Sequence, residues 1–182
     1  MDRLRLTSPP RSAVRGFTLI EILVVVLIVS IISAVAVFSL RDTRGDTQIK
    51  EEARRIATLL QLASEEAAMQ GRDLGVRFRP ESYGFLLYEP ELQNWVTLDY
   101  DRLLREREVP EGIVLTLKLD DVDVELPQAE EDQLEPPQVL ILSSGETTPF
   151  ELEIESDNSD YVYYLTGQPL GGVEIEWDER RF

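Results

Sequence analysis

Cysteine and histidine are both missing from this 182-residue sequence. Without cysteine the chain can form no disulfide, no thiolate metal site and no sulfur nucleophile. Without histidine it lacks the commonest general base and metal ligand. Positive charge is scarce: 18 lysines and arginines stand against 35 acids, for a net charge of −17. Arg3, Arg5, Arg11 and Arg15 all fall in the first 16 residues against Asp2 alone, so the rest of the chain carries the whole −17 and three more. So acidic a body, with no Lys/Arg stripe in its sequence, repels phosphate backbones and argues against nucleic acid as a partner. No G-x-S-x-G elbow and no G-x-x-x-x-G-K phosphate loop is present either.

What the chain does have is a basic leader joined to a long apolar run. Arg15-Gly16-Phe17-Thr18-Leu19-Ile20-Glu21 leads directly into Ile22 to Leu40. Residues 17–40 as a helix would rise about 36 Å, enough to cross a hydrocarbon core of about 30 Å. The arginine excess before the run is expected to stay cytoplasmic, which places the rest of the chain in the periplasm of a Gram-negative cell; Arg41 and Arg44 weaken that asymmetry slightly. In a secretory signal the cut follows the apolar core, whereas here any cleavage must lie before it. Glu21 then stands at the mouth of a membrane-length segment. An ionised side chain at the centre of such a helix costs about 2.5–3.5 kcal/mol, so a carboxylate there calls for a partner.

Past the apolar run, Ile49, Ala53, Ile56, Leu60, Ala63 and Ala67 recur at steps of three and four and draw one apolar stripe. Glu51, Glu52, Arg54, Arg55, Gln61, Glu65 and Glu66 are expected on the polar faces, and Gly71 as the stop. Residues 41–47, with Gly45, read either as a joint or as an irregular helix. From Leu74 the period shortens to that of strands. Those expected are 74–79, 83–88, 95–99, 113–119, 122–126, 139–142, 150–155, 161–165 and 173–177. Alternation is clearest in Phe150 to Glu155 and Val173 to Trp177, with an apolar row inward and an acidic row in solvent. Residues 128–137, acidic and ending in Pro136-Pro137, read as a surface loop.

Gly16-Phe17-Thr18-Leu19-Ile20-Glu21 with the apolar run resembles the class III signal of type IV pilins and type II secretion pseudopilins. The resemblance implies a prepilin peptidase cut between Gly16 and Phe17, methylation of the new amine of Phe17, and assembly through Glu21 as the fifth mature residue. That amine is a natural counter-ion for Glu21, within one subunit or between neighbours, since an unpaired buried charge costs several kcal/mol.

Four further phrases resemble the GspH type of minor pseudopilin: Glu65-Glu66-Ala67-Ala68-Met69-Gln70-Gly71-Arg72, Gly75-Val76-Arg77-Phe78, Tyr83-Gly84-Phe85 and Ser143-Ser144-Gly145-Glu146-Thr147-Thr148-Pro149-Phe150. The implied fold is α+β and pilin-like: a long N-terminal helix, transmembrane in its first half, packed on a mostly antiparallel β-sandwich-like domain. The organisation expected is leader 1–16, transmembrane helix 17–40, amphipathic helix 41–71 and β-rich domain 72–182. The implied role is structural rather than enzymatic, in the periplasmic pseudopilus of a type II secretion system, between the tip subunits of the I, J and K types and the major G-type subunit. Prepilin peptidase and the inner membrane are the other implied partners. A minor pilin of a type IV pilus or DNA-uptake system is the alternative, and a membrane-anchored periplasmic enzyme a remote one.

No cofactor is expected. Asp157-Asn158-Ser159-Asp160 and Asp120-Asp121-Val122-Asp123 gather oxygen ligands as a calcium loop would. Neither has the glycine and distal glutamate of an EF-hand, and turns between strands are the preferred reading. Tyr161, Tyr163 and Tyr164 are candidates for interface anchors or for cross-strand pairs.

Overall fold

The computed structural model describes residues 18–128 and 135–180, with the side chains of 34–43 set aside. Most of the acidic loop expected at 128–137 therefore lies outside the described residues. One helix, α1 (Leu19–Gln70), is followed by ten strands. They are β1 (Leu74–Arg79), β2 (Ser82–Glu89), β3 (Asn94–Thr97), β4 (Arg107–Glu108), β5 (Ile113–Leu119), β6 (Val122–Val124), β7 (Val139–Ile141), β8 (Phe150–Ser156), β9 (Tyr161–Gly167) and β10 (Val173–Glu179). All nine expected strands form, β1 and β5 with the expected bounds. The two-residue β4 is an addition, too short to carry an alternation signal.

The chain divides into two units, Met1–Ser39 and Leu40–Phe182. In the first, every described apolar side chain of α1 from Leu19 to Ile32 is exposed. A helix apolar on all sides has no polar face to leave in water.

In the second unit, the stripe from Ile49 to Ala67 is buried at all six expected positions. It shares one core with Phe78 and Phe85 of the first sheet and Leu115, Leu152 and Ile154 of the second. The first sheet runs β3-β2-β1-β7, with β4 also paired to β2; the second runs β10-β9-β8-β5-β6, and every pairing is antiparallel. The rings of Phe78 and Phe150, one from each sheet, lie 6.3 Å apart. Gly71 ends α1 in a left-handed conformation (φ 64°), with the Arg72 N–H donating to the Ala67 carbonyl at 3.2 Å. This six-to-one bond satisfies a terminal carbonyl and turns the chain into β1.

Residues 41–47 belong to a continuous α1. The reason for a glycine there is close approach: a Cβ on Gly45 would sit 1.7 Å from the backbone oxygen of Asn158. Glu52 departs from its expected polar face and is 1% exposed. It sits three residues after Ile49 and four before Ile56, on the same side of the helix, and is paired there rather than solvated.

Strand β8 alternates as expected, with Phe150, Leu152 and Ile154 buried and Glu151, Glu153 and Glu155 on the outer row. Strand β10 does not: Ile175 is 39% and Trp177 61% exposed. β10 is the last strand of its sheet, and its apolar row lines an open groove instead of the core.

Candidate functional site

The helix start is built from the residues of the leader junction. Gly16 and Phe17, the expected cleavage and methylation positions, lie outside the described residues. Thr18 caps α1: its carbonyl accepts from the N–H of Glu21 at 3.1 Å and of Ile22 at 3.3 Å, and its Oγ1 accepts from the Glu21 N–H at 3.3 Å. Thr18 and Glu21 thus hold the first and fourth positions of a T-x-x-E capping box, a signal in the sequence with its own physical meaning. An acid in the first helical turn also complements the helix dipole. The Glu21 side chain is exposed and has no hydrogen bond or ion pair among the described residues. Its charge is available to a partner.

Around and beyond Glu21 the exposed surface is hydrocarbon. Ser30, the polar interruption in the described stretch 22–32, returns its hydroxyl proton to the Val26 carbonyl at 2.7 Å, so it adds no unmet donor to an apolar surrounding. Among the described residues no helix is long and apolar enough to cross a membrane. The side chains described in this run stop at Ser33, and 34–40 of the expected span fall outside them.

In the second unit, the segment flagged for calcium docks on the helix. Asp46 Oδ1 accepts from Ser159 Oγ at 2.7 Å and from the Asp160 N–H at 3.3 Å, directly beside the Gly45–Asn158 approach. The Ser159 hydroxyl and the Asp160 N–H thus hold the β8–β9 turn to α1. Asp120 and Asp121 have φ of 51° and 62° and form the tight turn between β5 and β6. Both acidic motifs are accounted for as turns, and among the described residues no group of three or more acids is placed to hold a metal.

A groove of about 740 Å³ runs between α1 and the β9–β10 edge, lined by Lys50, Arg54, Tyr161, Tyr163, Ile175 and Trp177 among others. The three tyrosines divide here. Tyr161 packs edge-on against Trp177 with ring centroids 5.4 Å apart, Tyr163 is buried, and Tyr164 stands opposite Glu176 and Glu153 across its two neighbouring strands. Burial holds the phenols of Tyr163 and Tyr164 above their ordinary pKa, so both stay neutral.

The sequence model of the family described as Type II transport protein GspH matches residues 52–171, and that of the prokaryotic N-terminal methylation motif matches residues 11–37. The chain is similar to the type II secretion system protein H of Aeromonas hydrophila, 29% identical over 172 residues that span 90% of this chain and 94% of that one. To the protein of the same name from Pseudomonas aeruginosa it is 35% identical over 147 residues, 78% of this chain and 83% of that one. Among solved structures it resembles the minor pseudopilin EpsH from the type 2 secretion system of Vibrio cholerae, with a TM-score of 0.58 and 27% identity over 71% of this chain and 96% of the other.

Proposed function

Since the chain belongs to the GspH family of type II transport proteins, we propose that it is a minor pseudopilin, a structural subunit without catalytic chemistry that supports export of folded proteins across the outer membrane. Residues 17–40 anchor it in the inner membrane, and the β-rich unit stands in the periplasm. Prepilin peptidase removes residues 1–16 and methylates Phe17. The subunit then joins pseudopilins of the I, J and K types above and the major G-type subunit below.

The observation that carries this reading is the helix start. A carboxylate four residues beyond the proposed new amine is exposed and without a partner among the described residues, on a stretch of helix, Leu19 to Ile32, whose other side chains are apolar but for Ser30. Neither water nor lipid suits both features. A bundle of like helices does: it buries the hydrocarbon and brings the amine of Phe17 to a Glu21, cancelling two charges that would each be costly alone. Such a pair fixes the axial register of one subunit against the next.

Deleting the gene and scoring exoprotein secretion together with twitching and transformation tests the proposal. Loss of secretion alone is expected. Loss of twitching or transformation with secretion intact would move the chain to a pilus or DNA-uptake machine.

A further inference from the structure

On this acidic chain, five arginines converge in one place. A recess of about 570 Å³ is lined by Arg55 of α1, Arg79 at the end of β1, and Arg105, Glu106, Arg107 and Glu108 leading into β4. Arg77, 5% exposed, lies behind it and shares Glu106. Pairing of Ser82 with Glu108 and of Tyr83 with Arg107 draws the last segment against β2. These positions are far apart in sequence, and no stripe announces them.

The cluster has more donors than acceptors. Glu106 accepts from Arg77, Arg79 and Ser82, and Glu52 takes Arg55. Arg107 reaches only the carbonyls of Arg102 and Leu103, at 3.3 and 3.0 Å. Arg105 is exposed and makes no hydrogen bond or ion pair among the described residues. The Nε atoms of Arg77, Arg79 and Arg107 are buried with no partner, and the fourth such atom among the described residues is an oxygen of Glu135. Orphaned nitrogens are thus concentrated in this cluster. A buried donor left unmade is unfavourable inside the subunit.

Five guanidiniums against Glu52, Glu106 and Glu108 leave the site with an excess of two positive charges on a chain of −17. A guanidinium fork is shaped for a carboxylate. The surrounding acidity selects a short ligand, because an extended polyanion or an anionic membrane surface would be repelled beyond the recess. The volume suits a side chain with its backbone rather than a small ion alone.

We infer that the recess beside Arg79, Arg105 and Arg107 is a docking site for an acidic segment of a neighbouring pseudopilin, whose carboxylate completes the arginine cluster on assembly. This rests on the reading that the chain assembles with other pseudopilins. It adds a periplasmic, charge-selective contact to the one proposed at Glu21.

The test uses the full chain co-expressed with its fellow pseudopilins and isolated in mild detergent. Arg105→Glu reverses a charge that supports no contact within the subunit; Arg102→Glu makes the same change outside the recess. Arg105→Glu should reduce partner retention about tenfold or more while melting as the unaltered chain does, and Arg102→Glu should not reduce it. Raising salt should weaken retention by the unaltered chain, and weaken the residual retention by Arg105→Glu less. If Arg105→Glu retains partners as well as Arg102→Glu, the inference is wrong and the assembly reading stands. If Arg105→Glu also melts lower, Arg105→Gln replaces it, and full retention by that variant is equally fatal. If the unaltered chain retains no pseudopilin, both fall.

Discussion

The Tyr83 hydroxyl donates to Glu52 Oε1 at 3.0 Å, while Arg55 Nη1 donates to Glu52 Oε2 at 2.8 Å. Both carboxylate oxygens of a side chain 1% exposed are therefore engaged, one by the sheet and one by the helix itself. Burial, and then the charge of Glu52, push the Tyr83 pKa well above its ordinary value, so the phenol remains a donor at any working pH.

Tyr83→Phe should cost about 1–3 kcal/mol, because it leaves a buried carboxyl oxygen without its donor. Adding Glu52→Leu should recover part of that loss, since removing both partners leaves nothing unpaired and Arg55 returns to water. Denaturant titration of the two variants checks this. A double variant less stable than Tyr83→Phe would show that the pair contributes more than mutual satisfaction.

Gly45→Ala should reverse the usual helix rule. In an exposed helix interior the change gains about 1 kcal/mol. Here the new methyl would meet Asn158 O at 1.7 Å, and the turn held by Asp46 must move. A lowered melting temperature, with faster amide exchange at 157–160, is the expected outcome. A raised melting temperature would mean that the turn yields freely.

Glu153 sits on the outer row of β8 between Glu151 and Glu155, with Lys118 Nζ at 3.7 Å. Burial, then its hydrogen bond with Glu155 and that residue's charge, raise its pKa against the opposing pull of Lys118. The folded chain binds this proton more tightly than the unfolded one. The resulting stabilisation is full below the ordinary glutamate value of about 4.3 and is lost as pH rises through the raised value. Glu153→Gln should accordingly raise the melting temperature at neutral pH and give no gain near pH 3. Melts at the two pH values decide it, and destabilisation at neutral pH would refute the sign.

Glu21→Leu should leave insertion and cleavage intact and abolish crosslinking to partner subunits. The Phe17 amine would then be buried without its counter-ion, a loss of about 3–5 kcal/mol. Gly16→Leu should instead block maturation, and a protein of mature size would rule out the proposed role of Gly16. Undiminished crosslinking of Glu21→Leu would dismiss the register pairing.

The stripe from Ile49 to Ala67 was legible because burial on one helix face imposes steps of three and four, and β8 because one solvated sheet face imposes alternation. Glu52 was also legible in principle, at the same spacing as Ile49 and Ile56. Its residue type argued for solvent, and burial is tolerable because Arg55 on the helix and Tyr83, thirty-one residues on, each engage one of its oxygens. Alternation in β10 marks an apolar row without saying what faces it, since strand position in the sheet is a tertiary property. The arginine recess was invisible for the same reason: Arg79 and Arg107 meet through the pairing of β1 and β4 with β2, and Arg55 through the packing of α1, none of which a local pattern encodes. Thr18 and Glu21 show the opposite case, a local capping signal overshadowed by the leader motif it belongs to.

Strand β10 closes one end of its sheet, with Glu174, Glu176 and Asp178 along one row and its outer backbone unpaired. Bare backbone of this kind is a template for any other strand, and anchored subunits crowded in one plane would meet it often. A row of three carboxylates makes such an encounter between like copies repulsive before hydrogen bonds can form. The chain can therefore wait at high density without knitting its sheets together, leaving polymer growth to contacts that the machine itself brings about.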